Sequence, residues 1–488
     1  MQKAGEEIAQ GIDDDYREIG GLTEKPRLLV LVGKGHNGGD ALLAAQWLLK
    51  KYPAATADVF LCFGKELLRP LAKRSLDELC ELAGKRCRER DFRQLKAESA
   101  GYDLCLDGVF GFQFRPPLDK ITRRSIAWVN AQSGIKFRAA VDLPSGMSEA
   151  GEGRTFRADF TYATGIVKLP LVAEANGASV GRLRYLDLGF FQTKAPKSDQ
   201  RVLVGSLLAP IARLRSAQSD KRTFGHLCML GGSHRYPGAI MLAVRAALRS
   251  GVGLVTAFVP ETLVGQYATA HPEVMWVGCP LNSGGGLSIA SLPLVRERLK
   301  RAKAMLVGPG LGADPESIEL VRRIASEVTV PILLDADALQ PAVIEALNKK
   351  PFVCTPHAGE FKRIASALYS EKKFTKPRGV LVLKGPLTHI TNGKTTYYSP
   401  FGGPVLARGG SGDMLAGLIG GLLAQTPENP LLAACRGLVW HGVAADLLAR
   451  THGQVAVENS QLLEQLGPAL QSTHVRTTLG AASVHGPE

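Results

Sequence analysis

Two stretches of this sequence place glycines and an acid where an apolar helix should begin. Residues 33–41 read GKGHNGGDA after the apolar run RLLVLV, and residues 408–417 read RGGSGDMLAG. Glycines at a helix N-terminus let unpaired backbone N–H groups approach an anion closely, and the helix dipole adds partial positive charge. In the second stretch that hole suits a transferring phosphoryl group. Asp413 beside it can take the proton of a substrate hydroxyl as the phosphoryl group arrives. For this GxGD alone, an ordinary capping aspartate remains the simpler reading. In the first stretch His36 and Asn37 precede Gly38, Gly39 and Asp40. Asn37 can offer an oxygen to a hard cation and the glycine amides can take a phosphate. A dinucleotide fingerprint fits Gly33, Gly35 and Gly38 by spacing only, with Asp58 as a weak ribose acid, which argues against a dehydrogenase.

Other chemistry-bearing residues cluster at apolar run ends. In the second half these are LKGPLTHI (383–390, with Lys384 and Thr388), TPHAGEF (355–361, with His357 and Glu360), LVGPGLG (306–312) and LLDADAL (333–339). In the first half they are LDGVFGFQFRPPL (106–118, with Asp107) and VDLPSGM (141–147, with Asp142 and Ser145). Open α/β sheets bind ligands beyond the carboxyl ends of their strands, where all these motifs fall. Singly, His357 reads as a capping histidine and Asp335 as a loop acid; as a set they are hard to explain as packing. No GxxxxGK[ST] pattern occurs, which disfavours a P-loop enzyme.

The elements that must position these residues alternate. Strands are expected at 27–33, 57–64, 102–108, 137–143, 158–164 and 181–189, with helices such as 39–51 and 66–83 between the earlier ones. A second alternation runs through 224–232, 253–260, 304–310, 331–337, 352–356 and 379–385. It ends in a hairpin turning at Asn392-Gly393 and two apolar helices, about 412–425 and 431–450. Strands alternating with helices predict parallel sheets covered on both faces. The expected layout is a first domain over 1–192, a polar linker over 193–204, a second domain over 205–470 and a loose tail over 471–488. The 488 residues suffice for such domains, and 45% hydrophobic with 21% charged residues is ordinary for a globular chain. Eight scattered cysteines without a CxxC pair argue against zinc fingers and disulfide scaffolds. No apolar run reaches 18 residues and the first ten lack a signal-peptide core, so the expectation is a cytoplasmic protein without a membrane span. The net charge of +14 comes from dispersed Lys and Arg without interleaved aromatics. That pattern favours solvated basic faces and phosphorylated small molecules over nucleic acid.

In order, GGSHRYPGAIMLAVRAALRSGVGLV, VGPGLG, DADAL, TPHAGEF, LKGPLT and GGSGDMLAGLIGGLLAQ resemble the ADP/ATP-dependent NAD(P)H-hydrate dehydratase family over about 205–465. The resemblance implies a ribokinase-like α/β domain that phosphorylates the hydroxyl of hydrated NAD(P)H, after which phosphate is eliminated. It implies Asp413 as the catalytic residue. It places Ala239, Gly312 and His357 with Asp413 around the hydrate, and Lys384, Gly385, Pro386, Leu387, Thr388 and Gly412 against the nucleotide. ADP is the expected co-substrate, with ATP an alternative, and Mg2+ the expected metal. The order GxGxNGGD, DxxFG, VDxPSG is similar to the NAD(P)H-hydrate epimerase family over about 1–190. It implies a Rossmann-like three-layer α/β/α domain. His36, Asn37, Gly38, Gly39, Asp40, Gly111, Phe112, Gln113, Phe114, Arg115, Pro116, Pro117 and Asp142 would contact the hydrate. Asp142 would do acid/base work, and Asn37, Asp107 and Ser145 would hold K+. The downstream VKLP around Lys168 also fits.

Three features depart from the family pattern. The usual GNNGGDG reads GHNGGDA, the family's N-terminal helix extends ahead of Met1, and the usual D-T-G after VDLPSGM is missing. The expected ligands are NADHX, NADPHX and ADP, with a homo-oligomeric assembly. Two other readings stay open at this point: a ribokinase-like kinase of a small vitamin precursor, and a first half that only binds RNA or protein.

Overall fold

The computed structural model describes residues 1–98, 100–112, 114–115, 117–148, 155–190, 198–369 and 377–472. It divides into two compact units, Met1–Ala195 with Ala449–Ala456, and Pro196–Leu448 with Val457–Glu488.

The first unit is built on β1 (Arg27–Val32), β2 (Thr56–Leu61), β3 (Cys87–Glu89), β4 (Tyr102–Gly108), β5 (Ile135–Val141), β6 (Phe160–Thr164) and β7 (Arg182–Leu186). They pair in the order β3-β2-β1-β4-β5-β6-β7, all parallel. A parallel sheet needs cover on both faces, and β1 shows it residue by residue. Leu28, Val30 and Val32 enter one core with Ile8, Ile12, Leu42, Leu48 and Leu76. Leu29 and Leu31 enter the opposite core with Phe60, Leu95, Ile126 and Val129. The chain runs outward through β2 and β3, returns to the centre at β4, and so opens a crevice where β1 and β4 diverge.

The second unit holds β8 (Gln200–Val202), β9 (His226–Leu230), β10 (Leu254–Pro260), β11 (Met275–Cys279), β12 (Ala304–Val307), β13 (Ile332–Leu334), β14 (Phe352–Cys354), β15 (Val380–Leu383), β16 (His389–Thr391) and β17 (Thr396–Tyr398). Their order is β11-β10-β9-β12-β13-β14-β15-β16-β17-β8. The pairing is parallel through β15, and β15, β16 and β17 run antiparallel around the Asn392-Gly393 turn. Its reversal point lies between β9 and β12. One face packs Cys228, Leu230, Met305 and Val307 against Leu320, Ile324 and Ile364. On the other, the helix Ser411–Gln425 lies so close to the helix Pro237–Arg249 that a Cβ on Gly417 would sit 2.0 Å from the Ala243 carbonyl oxygen.

Three strands fall outside the runs expected from sequence: β3, β11 and β8, the last inside the expected linker 193–204. β3 and β8 are three-residue edge strands, too short to show periodicity. Residues 473–488 of the expected tail, and 193–197 of the linker, lie outside the described residues. Among the described residues one helix, Pro430–His452, is long and apolar enough to cross a membrane, and 83% of its apolar window is buried inside the protein. All eight cysteines are free thiols.

Candidate active sites

In the second unit the expected residues converge from four strand ends. Asp335 follows β13 and is buried; its Oδ1 accepts hydrogen bonds from Thr355 Oγ1 at 2.7 Å and Lys384 Nζ at 3.0 Å. Lys384 follows β15, and its Nζ lies 4.0 Å from Glu360. Its N–H bonds to the Pro356 carbonyl at 2.9 Å, which sets it beside His357. Gly412 opens the helix Ser411–Gln425, and a Cβ there would lie 3.3 Å from the Lys384 ammonium. Asp413 follows in the first turn.

These neighbours tune one another. Burial pushes Asp413 up to about 7; Asp335, Glu360 and Asp337 add repulsion while Lys384 opposes. Burial pulls the Lys384 ammonium down, but Asp335 and Glu360 outweigh it and the net shift is upward. The site therefore holds a lasting cation beside a carboxyl poised near neutrality, the condition for a general base.

His357 is the N-cap of the helix Ala358–Leu368, with Nδ1 accepting from Gly359 and Glu360 N–H. The ring stays largely exposed (61% of the side chain), with Nε2 on its other edge 3.5 Å from Glu360 Oε1. Gly312 has φ +80 and donates its N–H to Asp337 at 3.0 Å. Ala239 sits in the first turn of Pro237–Arg249, its Cβ against Gly310. Gly385 and Thr388 close a small turn, with Thr388 Oγ1 donating to the Gly385 carbonyl at 3.1 Å; Pro386 lies exposed and Leu387 half-buried within it. Sequence reading missed His441 on Pro430–His452. Burial pushes it down to about 4, with a backbone hydrogen bond to Ser411 opposing, and its Nε2 is buried with no hydrogen-bond partner among the described residues. Its only sequence signal is a histidine inside an apolar helix.

In the first unit the site forms around the crevice between β1 and β4. Asp142, just past β5, has φ +67, and Leu143 N–H bonds to the Val141 carbonyl at 2.7 Å across it. This is a γ-turn centred on a non-glycine residue, a strained conformation of the kind held at functional positions. Asp142 Oδ1 accepts from Thr164 N–H at 3.2 Å, Thr164 Oγ1 at 2.7 Å and the buried Lys168 ammonium. Oδ2 is left facing Gly111, where a Cβ would lie 3.5 Å away. One carboxylate oxygen is thus anchored and the other presented.

Asn37 ties the crevice together, its amide donating to the Phe110 carbonyl at 2.9 Å and the Val141 carbonyl at 2.8 Å. Asp107, fully buried at the end of β4, accepts from Ser145 N–H at 2.7 Å and Ser145 Oγ at 2.6 Å. Burial pushes it up to about 6, the Ser145 hydrogen bonds opposing. Among the described residues no cationic side chain pairs with it. Asp40 is pushed up to about 7 by burial and by Asp142, the N-terminal amine opposing. Its Oδ1 is buried with no hydrogen-bond partner among the described residues, as a group awaiting a ligand would be.

Gly38 and Gly39 are buried in the first turn of the helix His36–Lys51, where a Cβ on Gly38 would strike the Gly33 carbonyl at 2.4 Å. His36, the helix's first residue, is exposed, so the site does not depend on its packing. In the loop, the Phe114 ring lies 4.8 Å from that of Phe110, while Phe112, Arg115 and Pro117 are exposed. Gln113 and Pro116 lie outside the described residues. Asp58, on β2, is buried and bound by Arg88 and Tyr102, a structural role that removes it as a ribose acid. Thr164 was not singled out from sequence; its contact with Asp142 spans 22 residues and leaves no local signal.

Family models match both units. The NAD(P)H-hydrate dehydratase family matches residues 227–468, and the YjeF-related protein N-terminus family matches 1–169. The bifunctional NAD(P)H-hydrate repair enzyme Nnr of Moorella thermoacetica is 33% identical, covering 97% of this chain and 92% of its own. The protein of that name from Gloeobacter violaceus is 36% identical, over 96% and 93%. Among solved structures, the ADP/ATP-dependent NAD(P)H-hydrate dehydratase from Bacillus subtilis, co-crystallized with ATP/Mg2+, is 26% identical. It covers 53% of this chain and 93% of its own, with a TM-score of 0.43.

Proposed function

The chain belongs to the family of bifunctional NAD(P)H-hydrate repair enzymes, and from that premise we propose how its two sites divide the work. The first unit interconverts R- and S-NAD(P)HX, the hydrated forms of NAD(P)H. The second dehydrates S-NAD(P)HX to NAD(P)H, with ADP as phosphoryl donor and AMP and phosphate as products. The observation that carries the second assignment is Asp413, near neutrality at a glycine-opened helix N-terminus beside Lys384.

In the second unit Asp413 accepts the proton of the ring hydroxyl while that oxygen attacks the donor's terminal phosphorus. The N–H groups around Gly412 and the Lys384 ammonium meet the charge on the phosphoryl oxygens. Phosphate then leaves from the ring carbon, a proton leaves its neighbour, and the double bond of the dihydropyridine is restored. The turn at Gly385, Pro386, Leu387 and Thr388 faces the nucleotide, while Ala239, Gly312 and His357 bound the hydrate. Mg2+ would neutralise nucleotide phosphate charge. The described residues form no cluster of three or more ligating side chains for it, so no protein step is assigned to the metal.

In the first unit Asp142 acts through Oδ2 at the hydroxyl-bearing carbon, while Thr164 and Lys168 fix the carboxylate through Oδ1. Asp40 offers its unpartnered Oδ1 to the substrate. The donors around Asp107 fit K+: Asp107, Ser145 and Asn37 supply oxygens only, and the buried Asp107 carboxylate has no ionic partner among the described residues. A bound K+ would neutralise that charge and favour its ionised form.

The test is epimer-resolved chromatography of NADHX incubated with K+, Mg2+ and either ADP or ATP. Loss of both epimers with recovery of NADH absorbance is expected. Persistence of the R epimer after S is consumed overturns the epimerase assignment. Phosphorylated product without NADH overturns the dehydratase assignment in favour of a kinase.

A further inference from the structure

A groove of about 860 Å³ opens beside the first unit's crevice, at the carboxyl ends of β2 and β3, within the volume range of small-molecule sites. Its apolar surface is aromatic, from Phe60, Phe63 and Phe92, with Ile121 on one wall. Its acids are engaged. Asp91 and Asp119 cap helices, and Glu89 faces Lys65 at 3.9 Å. Among its bases Arg90 is bound to Asp58. Lys34 and Arg124 line the groove with no carboxylate partner among the described residues. The Lys34 ammonium instead lies 4.5 Å from the centre of the Phe63 ring.

A short chain of contacts links the groove to the Asp142 site. The Phe63 ring lies 5.8 Å from that of Phe110. Phe110 is held by Asn37 and Ser145, and the next residue, Gly111, faces Asp142. Strand order places the two regions on opposite sides of the crevice between β1 and β4. Dinucleotides on such sheets lie across that crevice, one half on each side, with the diphosphate at the first helix N-terminus.

Resting on the epimerase reading of this unit, we infer that the groove is the subsite for the adenosine half of NAD(P)HX. The adenine packs on Phe63 and the neighbouring aromatic surface, and Lys34 and Arg124 pair with the substrate's phosphates. The hydrated ring is thereby delivered to Asp142 from the far side of the crevice.

The test uses the full-length protein without nucleotide, so that only epimerisation runs. Two substrates are compared: NADHX, and hydrated reduced nicotinamide mononucleotide, which lacks the adenosine half. A Lys34→Ala/Arg124→Ala variant should raise KM for NADHX roughly tenfold or more, as loss of charged hydrogen bonds does. Its kcat should hold, and its kinetics on the mononucleotide should move far less. Ile121→Glu, a change at a surface position, should act in the same direction by placing a carboxylate against the substrate's phosphates. Equal KM changes on both substrates, or no change on either while wild type epimerises NADHX, overturn the subsite. Failure of wild type to epimerise either substrate overturns the epimerase reading, and the subsite with it.

Discussion

Asp413 and Asp142 each lie beside a lysine, Asp413 half-buried near Lys384 and Asp142 buried against Lys168. Asp413 is pushed to about 7, and a general base works only when ionised. Dehydration should therefore rise through the neutral range and level off above it, so that a kcat against pH profile at saturating ADP shows an acid limb near pH 7. Asp413→Asn should remove that limb along with about 10²–10⁴ of the rate, while nucleotide binding, followed by calorimetry, persists. Asp142 sits at positive φ, which Asn tolerates better than most residues. Asp142→Asn thus tests the carboxylate without forcing the turn, and should abolish epimerisation without lowering the unfolding midpoint by much. Both acids were legible in the sequence because each sits in a glycine-bearing motif, Asp413 at a helix N-terminus and Asp142 just past β5. Thr164, His441 and the unpartnered oxygen of Asp40 were not, since their roles depend on contacts between elements far apart in the chain. Of the two readings of His357, the cap is the one the structure bears out, through Nδ1, and its other ring nitrogen lies near Glu360.

At the scale of elements, glycines mark where backbones must approach. Gly417 lies inside the helix Ser411–Gln425, where propensity alone says alanine would stabilise by about 1 kcal/mol. Packing says the reverse, because a Cβ would sit 2.0 Å from the Ala243 carbonyl, and overpacking of this kind costs about 1–3 kcal/mol. Gly417→Ala should therefore lower the chemical-denaturation midpoint. It should also weaken dehydration, since this helix carries Gly412 and Asp413, and leave epimerisation intact. A raised midpoint would mean that the two helices can move apart freely. The long parallel strands and the hairpin were legible from apolar runs and the Asn392-Gly393 turn. β11 reads MWVGC and β8 reads QRV; such short segments owe their conformation to the neighbouring strand, which periodicity along the chain does not record.

At the scale of the whole molecule, the two units offer separate glycine-backed sites for one damaged cofactor. The similarity of their opening motifs reflects only the anion-binding property of any helix N-terminus. The acids proposed to act differ: Asp413 lies in its helix, and Asp142 lies about a hundred residues beyond the glycine-backed helix of the first unit, past β5. If the sites work independently, their losses should be separable and complementable. Given mixed epimers of NADHX with ADP, K+ and Mg2+, Asp142→Asn protein should form NADH until the S epimer is spent and then stall with R remaining. Asp413→Asn protein should form none while still interconverting R and S. An equimolar mixture of the two variants should run to completion, because S-NADHX released by one molecule can diffuse to the intact second site of another. Absorbance of the reduced nicotinamide, read alongside chromatography of the epimers, follows all three. A mixture that stalls with R unconsumed would require the hydrate to pass between sites of a single molecule, and either variant losing both activities would break the assignment of one chemistry to each unit.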